Sequence, residues 1–232
     1  MTAKPRLLSV IDVIALLMLA AAIYMVFVFA PIERVMGLVQ KVFYFHVSAG
    51  WVGMISYLVA AIASGVYLVT RRRTWDTVAL AGVELGLVFM LINIVTGSIW
   101  ARPIWNTWWT WDPRLTTATI MELAYAGYLM LRGGVEDPER RARFASVYAI
   151  IAFISVPLTY FSIRILRTIH PVVIGSGTPG AEGSFDMTPA MLQTFMFSLV
   201  TFSVIYVSLL WHRIRLGRLL DKVEELKVRY SV

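Results

Sequence analysis

Residues 8–30 read LSVIDVIALLMLAAAIYMVFVFA. An apolar run of that length matches the roughly 20 residues a helix needs to cross a bilayer core. No signal-peptide cleavage site is evident, so the stretch is expected to remain as an anchor. Working outward from Leu8–Ala30, the pattern recurs at Val42–Thr70, Val78–Ile99, Thr117–Leu131, Ala145–Leu166 and Pro189–Trp211. The second stretch is over-long for a span, so its first turns are expected to project from the membrane; the fourth is the shortest. Of 232 residues, 59% are hydrophobic and 15% charged, more apolar surface than a soluble domain of this size can bury. The expectation is an all-α, polytopic integral membrane protein with six transmembrane helices. These occupy residues 1–211, and an amphipathic tail occupies 212–232.

Charge gives the orientation. Fifteen of the 21 Lys and Arg fall at the termini and in the loops after the second and fourth stretches. The other six are Arg34, Lys41, Arg102, Arg114, Arg164 and Arg167. Because cytoplasmic loops collect basic residues, both termini are expected to be cytoplasmic. The loops after the first, third and fifth helices then face outward. The net charge of +7 is read as this loop asymmetry and not as a nucleic-acid surface. With 0 Cys, disulfides, zinc–thiolate sites, iron–sulfur clusters and thioether attachment of a haem are excluded.

The second outward loop, about residues 100–116, is the unusual one. Five of the 8 Trp lie between Trp100 and Trp111, in WARPIWNTWWTWDPRLT. Pro103 suits a first helical turn and Pro113 a stop. Between them Trp105, Trp108, Trp109 and Asp112 follow i, i+3, i+4, i+7 spacing, which predicts one Trp-covered face of a short helix. Such a face is a flat apolar platform suited to a flat aromatic ligand. The alternative is an aromatic belt at the membrane interface. The third outward loop, about Arg167–Thr188, contains GSGTPGAEG and is expected to be flexible.

Only 3 His are present. The topology puts His46 and His170 on the same outward face as the Trp loop. Imidazole is a common iron ligand, and two can take both axial positions of a haem. His212, beside Arg213, reads as an interface residue at the inner end. Gly50 and Gly53 follow His46 at i+4 and i+7, permitting close approach by a planar ligand or by another helix. Arg102 and Arg114 bracket the Trp loop; either suits a carboxylate, and Arg114 can instead pair with Asp112. Glu84 and Glu122 lie inside spans; interhelical hydrogen bonding is expected, with an ion path as the alternative. The tail places Leu216, Leu219, Leu220, Val223 and Leu226 at helical spacing, which predicts that it continues the sixth helix along the cytoplasmic surface, for lipid anchoring or for a partner.

TGSIWARPIWNTWWTWDPRLT (96–116) resembles the tryptophan-rich WWD signature of the haem-handling proteins of cytochrome c biogenesis. KVFYFHVSAGW around His46 and RTIHP around His170 are similar to that superfamily's outward histidine segments, and nearly the whole chain looks like the cytochrome c maturation protein C family. Two departures are Asn106, where that family usually has Gly, and Leu166 and Arg167, where it often has aromatic residues.

The resemblance implies haem b, held non-covalently on the periplasmic face of the bacterial inner membrane. His46 and His170 would be its axial ligands. Trp105, Trp108, Trp109, Trp111 and Asp112 would form its platform, with Arg102 and Arg114 near its propionates. It also implies presentation to a membrane-tethered chaperone that binds haem covalently, in company with ABC-type exporter subunits. No nucleotide-binding loop of the GxxxxGK[ST] kind is present, so any ATP dependence would come from a partner. The expected activity is handling and transfer, not catalysis. Rival readings are a cytochrome c synthase-like WWD protein, a cytochrome b-type electron-transfer subunit, and a transporter using Glu84 and Glu122.

Overall fold

The computed structural model describes residues 4–171 and 187–230. The stretch GSGTPGAEG lies outside them. All regular structure among the described residues is helical. The helices are α1 (Arg6–Tyr24), α2 (Gln40–Thr70), α3 (Arg73–Trp105), α4 (Pro113–Gly134), α5 (Pro138–Phe153), α6 (Ser155–Ile165) and α7 (Pro189–Tyr230). A π-helical turn, Met25–Phe29, extends α1. Five segments are long and apolar enough to cross a membrane: Arg6–Phe29, Gln40–Thr70, Arg73–Trp105, Pro138–Ile165 and Pro189–Lys227. The chain is a multi-pass membrane protein. α4 makes a sixth helical unit; it carries Thr116, Thr117, Thr119 and Glu122, and it packs against α5 and α6.

The third and fifth expected spans differ from the observed helices. The third continues through Pro103 to Trp105. The fifth is broken at Ile154, three residues before Pro157, whose missing N–H and ring disfavour a continuous helix. Ser155 Oγ donates to the Ala152 carbonyl at 2.6 Å, in the turn where the helix breaks. The sixth continues into the tail as its spacing predicts, to Tyr230, giving a helix of 42 residues, about 63 Å long.

α2 and α3 form the central pair. Small residues set their spacing. A Cβ on Gly50 would fall 2.7 Å from Asn93 Nδ2, and one on Gly53 would fall 2.6 Å from Met90 Sδ. The close approach at both glycines is therefore to another helix. α4 joins this pair through Tyr125, stacked on Tyr57 with centroids 3.6 Å apart. Tyr57 also donates to Glu122 at 2.9 Å. At the other face α7 packs against α1, α2 and α3.

The end of the first span depends on a residue from the second. Lys41 is buried and its Nζ donates to the carbonyls of Val26 at 2.7 Å and Ala30 at 2.9 Å. These acceptors belong to the π-helical turn and its end, where carbonyls lack helical partners and carry partial negative charge. Lys41→Met keeps much of the aliphatic stem but leaves the carbonyls orphaned. It is expected to cost about 2 kcal/mol, read as a lower unfolding temperature in detergent.

Candidate functional site

His46 stands on the second turn of α2, and His170 follows α6. The structure brings their rings together, with centroids 6.5 Å apart and planes inclined by 38°. Each ring's Nδ1 meets a backbone carbonyl, that of Asn93 at 2.9 Å for His46 and that of Pro171 at 3.1 Å for His170. A carbonyl only accepts, so Nδ1 carries the hydrogen and Nε2 keeps its lone pair. This is the usual arrangement of a metal-binding histidine, with the far nitrogen fixed by an outer partner. Asn93 Nδ2 also donates to the His46 carbonyl at 2.8 Å. Gly97 leaves room for the ring: a Cβ there would lie 2.8 Å from His46 Cε1. Burial, with the Arg114 guanidinium and His46 nearby, pushes His170 down to about 3. Its imidazole is therefore neutral at ordinary pH.

Around the pair lies a cleft of about 60 Å³, lined by His46, His170, Trp100, Trp105, Trp108, Trp109 and Arg114 among others. That is well under the ~300–1,000 Å³ of a site that engulfs a drug-sized molecule. A larger flat ligand held here would leave much of its surface outside. Trp105 meets His170 edge-on at 6.4 Å, and Trp100 meets Trp105 at 5.3 Å and 90°. Trp100, which sequence spacing did not single out, has a buried Nε1 with no acceptor among the described residues. An unpaired buried donor at a cleft wall suits an oxygen-bearing ligand.

The Trp segment is not the short helix expected from its spacing. α3 ends when Asn106 turns left-handed at φ 55°, a conformation Asn tolerates better than most residues. Arg102 secures that end by donating to the Asn106 carbonyl at 2.7 Å and to its Oδ1 at 2.6 Å. Residues 106–112 are irregular, and Pro113 opens α4 where it was expected to end a helix. Trp105, Trp108 and Trp109 thus line the cleft from a helix end and a loop. Trp111 is 73% exposed, 5.9 Å from Trp109, and outside the lining.

Asp112 is a tether. It caps α4 by accepting from the Arg114 N–H at 3.0 Å. It also accepts from Thr168 Oγ1 at 2.5 Å and from the Ile169 N–H at 2.9 Å. Thr168 Oγ1 in turn accepts from the His170 N–H at 3.1 Å. The carboxylate therefore fixes the segment that carries His170 to the start of α4. The Arg114 side chain donates to the Thr159 carbonyl of α6, not to Asp112.

The other candidates sit apart. Among the described residues no cluster of three or more His, Asp or Glu could hold a metal ion. His212 is tied to Asp12 at 3.0 Å. Glu84 pairs with Arg213 of α7, whereas Glu122 faces Tyr57 of α2, so they serve separate helix contacts. A larger cleft, about 310 Å³, lies at the far end between α3, α4, α5 and α7. Its arginines include Arg132, bound to Asp76 at 2.5 Å, and Arg73, bound to Asp221 at 2.8 Å.

The family model for Heme exporter protein C matches residues 1–229. The chain belongs to this family. Family membership spans both histidines, the Trp segment and the helices that carry them. Heme exporter protein C of Bradyrhizobium diazoefficiens is 35% identical over 173 residues, 74% of this chain and 65% of that relative's length. The family members of Escherichia coli and Rhodobacter capsulatus are 30% and 29% identical, over 82% and 93% of this chain and 74% and 88% of theirs.

Proposed function

We propose that this chain binds haem b non-covalently on the periplasmic face of the bacterial inner membrane and presents it to a membrane-tethered chaperone that takes it covalently. ABC-type exporter subunits are its partners in the membrane. The observation that carries the reading is the imidazole pair. A metal–nitrogen bond of about 2 Å on each side sets two axial imidazoles about 6 Å apart by their centroids. The 6.5 Å between His46 and His170 fits that arrangement, and each retains a free Nε2. Trp105, Trp108 and Trp109 bear on the ring, Trp100 Nε1 and Arg114 are its polar neighbours in the cleft, and Arg102, outside the lining and bound to Asn106, would meet only a propionate that projects beyond it. A shallow cleft supports presentation, because cargo held mainly by its iron leaves an edge for the acceptor. The deciding experiment is the absorption spectrum of detergent-solubilised protein loaded with haem. A six-coordinate bis-imidazole spectrum is expected; a five-coordinate spectrum or no binding would overturn the reading. An electron-transfer cytochrome b would favour paired histidines in two layers, whereas His212 is bound to Asp12.

Sidedness rests on the distribution of Lys and Arg, fifteen of 21 on one side. A periplasm-dependent reporter fused after Trp111 is expected to be active, and one after Glu136 inactive. The reverse pattern would put the cleft in the cytoplasm.

The Trp walls should affect transfer more than retention. Trp105→Ala or Trp109→Ala removes apolar contact worth about 1–3 kcal/mol, but leaves both imidazoles. Covalent haem on the chaperone is expected to fall further than haem bound to this chain, both measured in one preparation. Normal chaperone loading in the double variant would reduce these Trp to membrane anchors.

A further inference from the structure

α7 carries a second surface, at the end of the bundle away from the imidazole cleft. Leu216, Leu219, Val223, Leu226 and Tyr230 recur at alternating intervals of three and four residues. That is the a/d spacing of a coiled-coil seam over two heptads. All five are between 37% and 67% exposed. The seam turns away from the bundle. The face of α7 toward α3 is formed by Gly217, where a Cβ would lie 2.4 Å from Thr77 Cγ2, and by Asp221, bound to Arg73 at 2.8 Å.

Charge is segregated about the seam. Taking Leu216 as position a, the flanking e and g positions include Lys222, Lys227 and Arg229. The acids Asp221, Glu224 and Glu225 fall at f, b and c, on the back. Asp221 is engaged by Arg73, and Glu224 lies 3.4 Å from Lys227. A second copy of this helix is a poor occupant. In parallel it sets Lys222 against Lys227, and antiparallel it again sets basic flanks together. A lipid surface is the other basic-seeking candidate, but the helix geometry disfavours it. Every residue from Pro189 to Tyr230 is α-helical, and the contacts at Gly217 and Asp221 fix the direction of α7. The nine residues after Asp221 therefore run on about 14 Å along the same axis. A helix lying in the interface would have to turn at the boundary.

We infer that the end of α7 docks an amphipathic helix of another protein, one whose apolar seam is flanked by acidic residues.

The test uses the full chain in nanodiscs and, as probe, a fluorescent synthetic three-heptad peptide with Leu at a and d and Glu at e and g. The peptide is expected to bind, and a version with Lys at e and g is not. Leu219→Lys with Leu226→Lys should weaken binding by more than about tenfold, because the seam is lost. The haem spectrum should be unchanged, which separates this inference from the proposed function. Equal binding by that variant would overturn the proposal, since only charge would then be acting. The chain has 0 Cys, so Leu226→Cys gives a unique spin label. The label is expected to stay in water with phosphatidylglycerol nanodiscs. Burial of the label there would assign the seam to lipid, and label–label coupling between copies would assign it to self-association; either result overturns docking.

Discussion

His46→Ala and His170→Ala are each expected to abolish the six-coordinate haem spectrum, while His212→Ala preserves it. The rings of His46 and His170 stand 6.5 Å apart, and each spends its Nδ1 hydrogen on a backbone carbonyl. Among the described residues no third histidine lies close enough to replace either one. Loss of an outer partner of a metal ligand costs roughly 10–100-fold in affinity, and loss of the ligand itself should exceed that. The measurement is a haem titration followed by absorbance, with added imidazole as a rescue arm. Imidazole should restore six-coordination in the alanine variants, because the cleft walls remain. Unchanged spectra in both variants would remove the pair from the site and leave the Trp walls without an iron to orient.

Asp112→Asn should produce the second largest effect. Asn remains a good helix cap, so α4 should keep its start. It cannot reproduce the acceptor pattern. The two oxygens of Asp112 receive three hydrogen bonds, from Arg114 N–H, Thr168 Oγ1 and Ile169 N–H. Turning one oxygen into an amide leaves at least one donor facing a donor. The segment carrying His170 then loses its fixed position, and haem affinity is expected to fall about tenfold to a hundredfold. Thr168→Val should lower affinity through the same segment. The double variant should therefore lose less than the two single losses added together, since both act on one contact. Helix content by circular dichroism should remain as in the parent. Additive losses, or a fall in helix content matching the fall in affinity, would make Asp112 a cap and nothing more.

Much of the bundle was legible because length and apolarity are local properties. The five apolar spans were visible in this way, and α4 was found as the shortest of the six. The Trp segment departs from its sequence spacing for a definite reason. Trp105, Trp108 and Trp109 have helical spacing, but the ends of the adjoining helices are set by Asn106 and Asp112. The tether at Asp112 reaches residues 56 and 57 positions later, beyond any periodicity. Asn93 and Gly97 were missed because their roles exist only once α3 lies against α2. The glycines after His46 were legible as close-approach positions, yet only packing distinguishes a helix from a ligand. Lys41 has the sequence context of a loop cation, although it is buried against the end of the first span.

That placement of Lys41 bears on how the chain is assembled as it leaves the ribosome. The first segment enters the bilayer with its last carbonyls still seeking donors. Their donor is synthesised 11 residues after Ala30 and 15 after Val26, at the start of the next helix. The end of the first span is therefore completed only when the start of α2 arrives, while the body of α1 waits for α7. A nascent chain halted before Lys41 would keep a frayed end in the membrane, the sort of end a quality-control protease can grip.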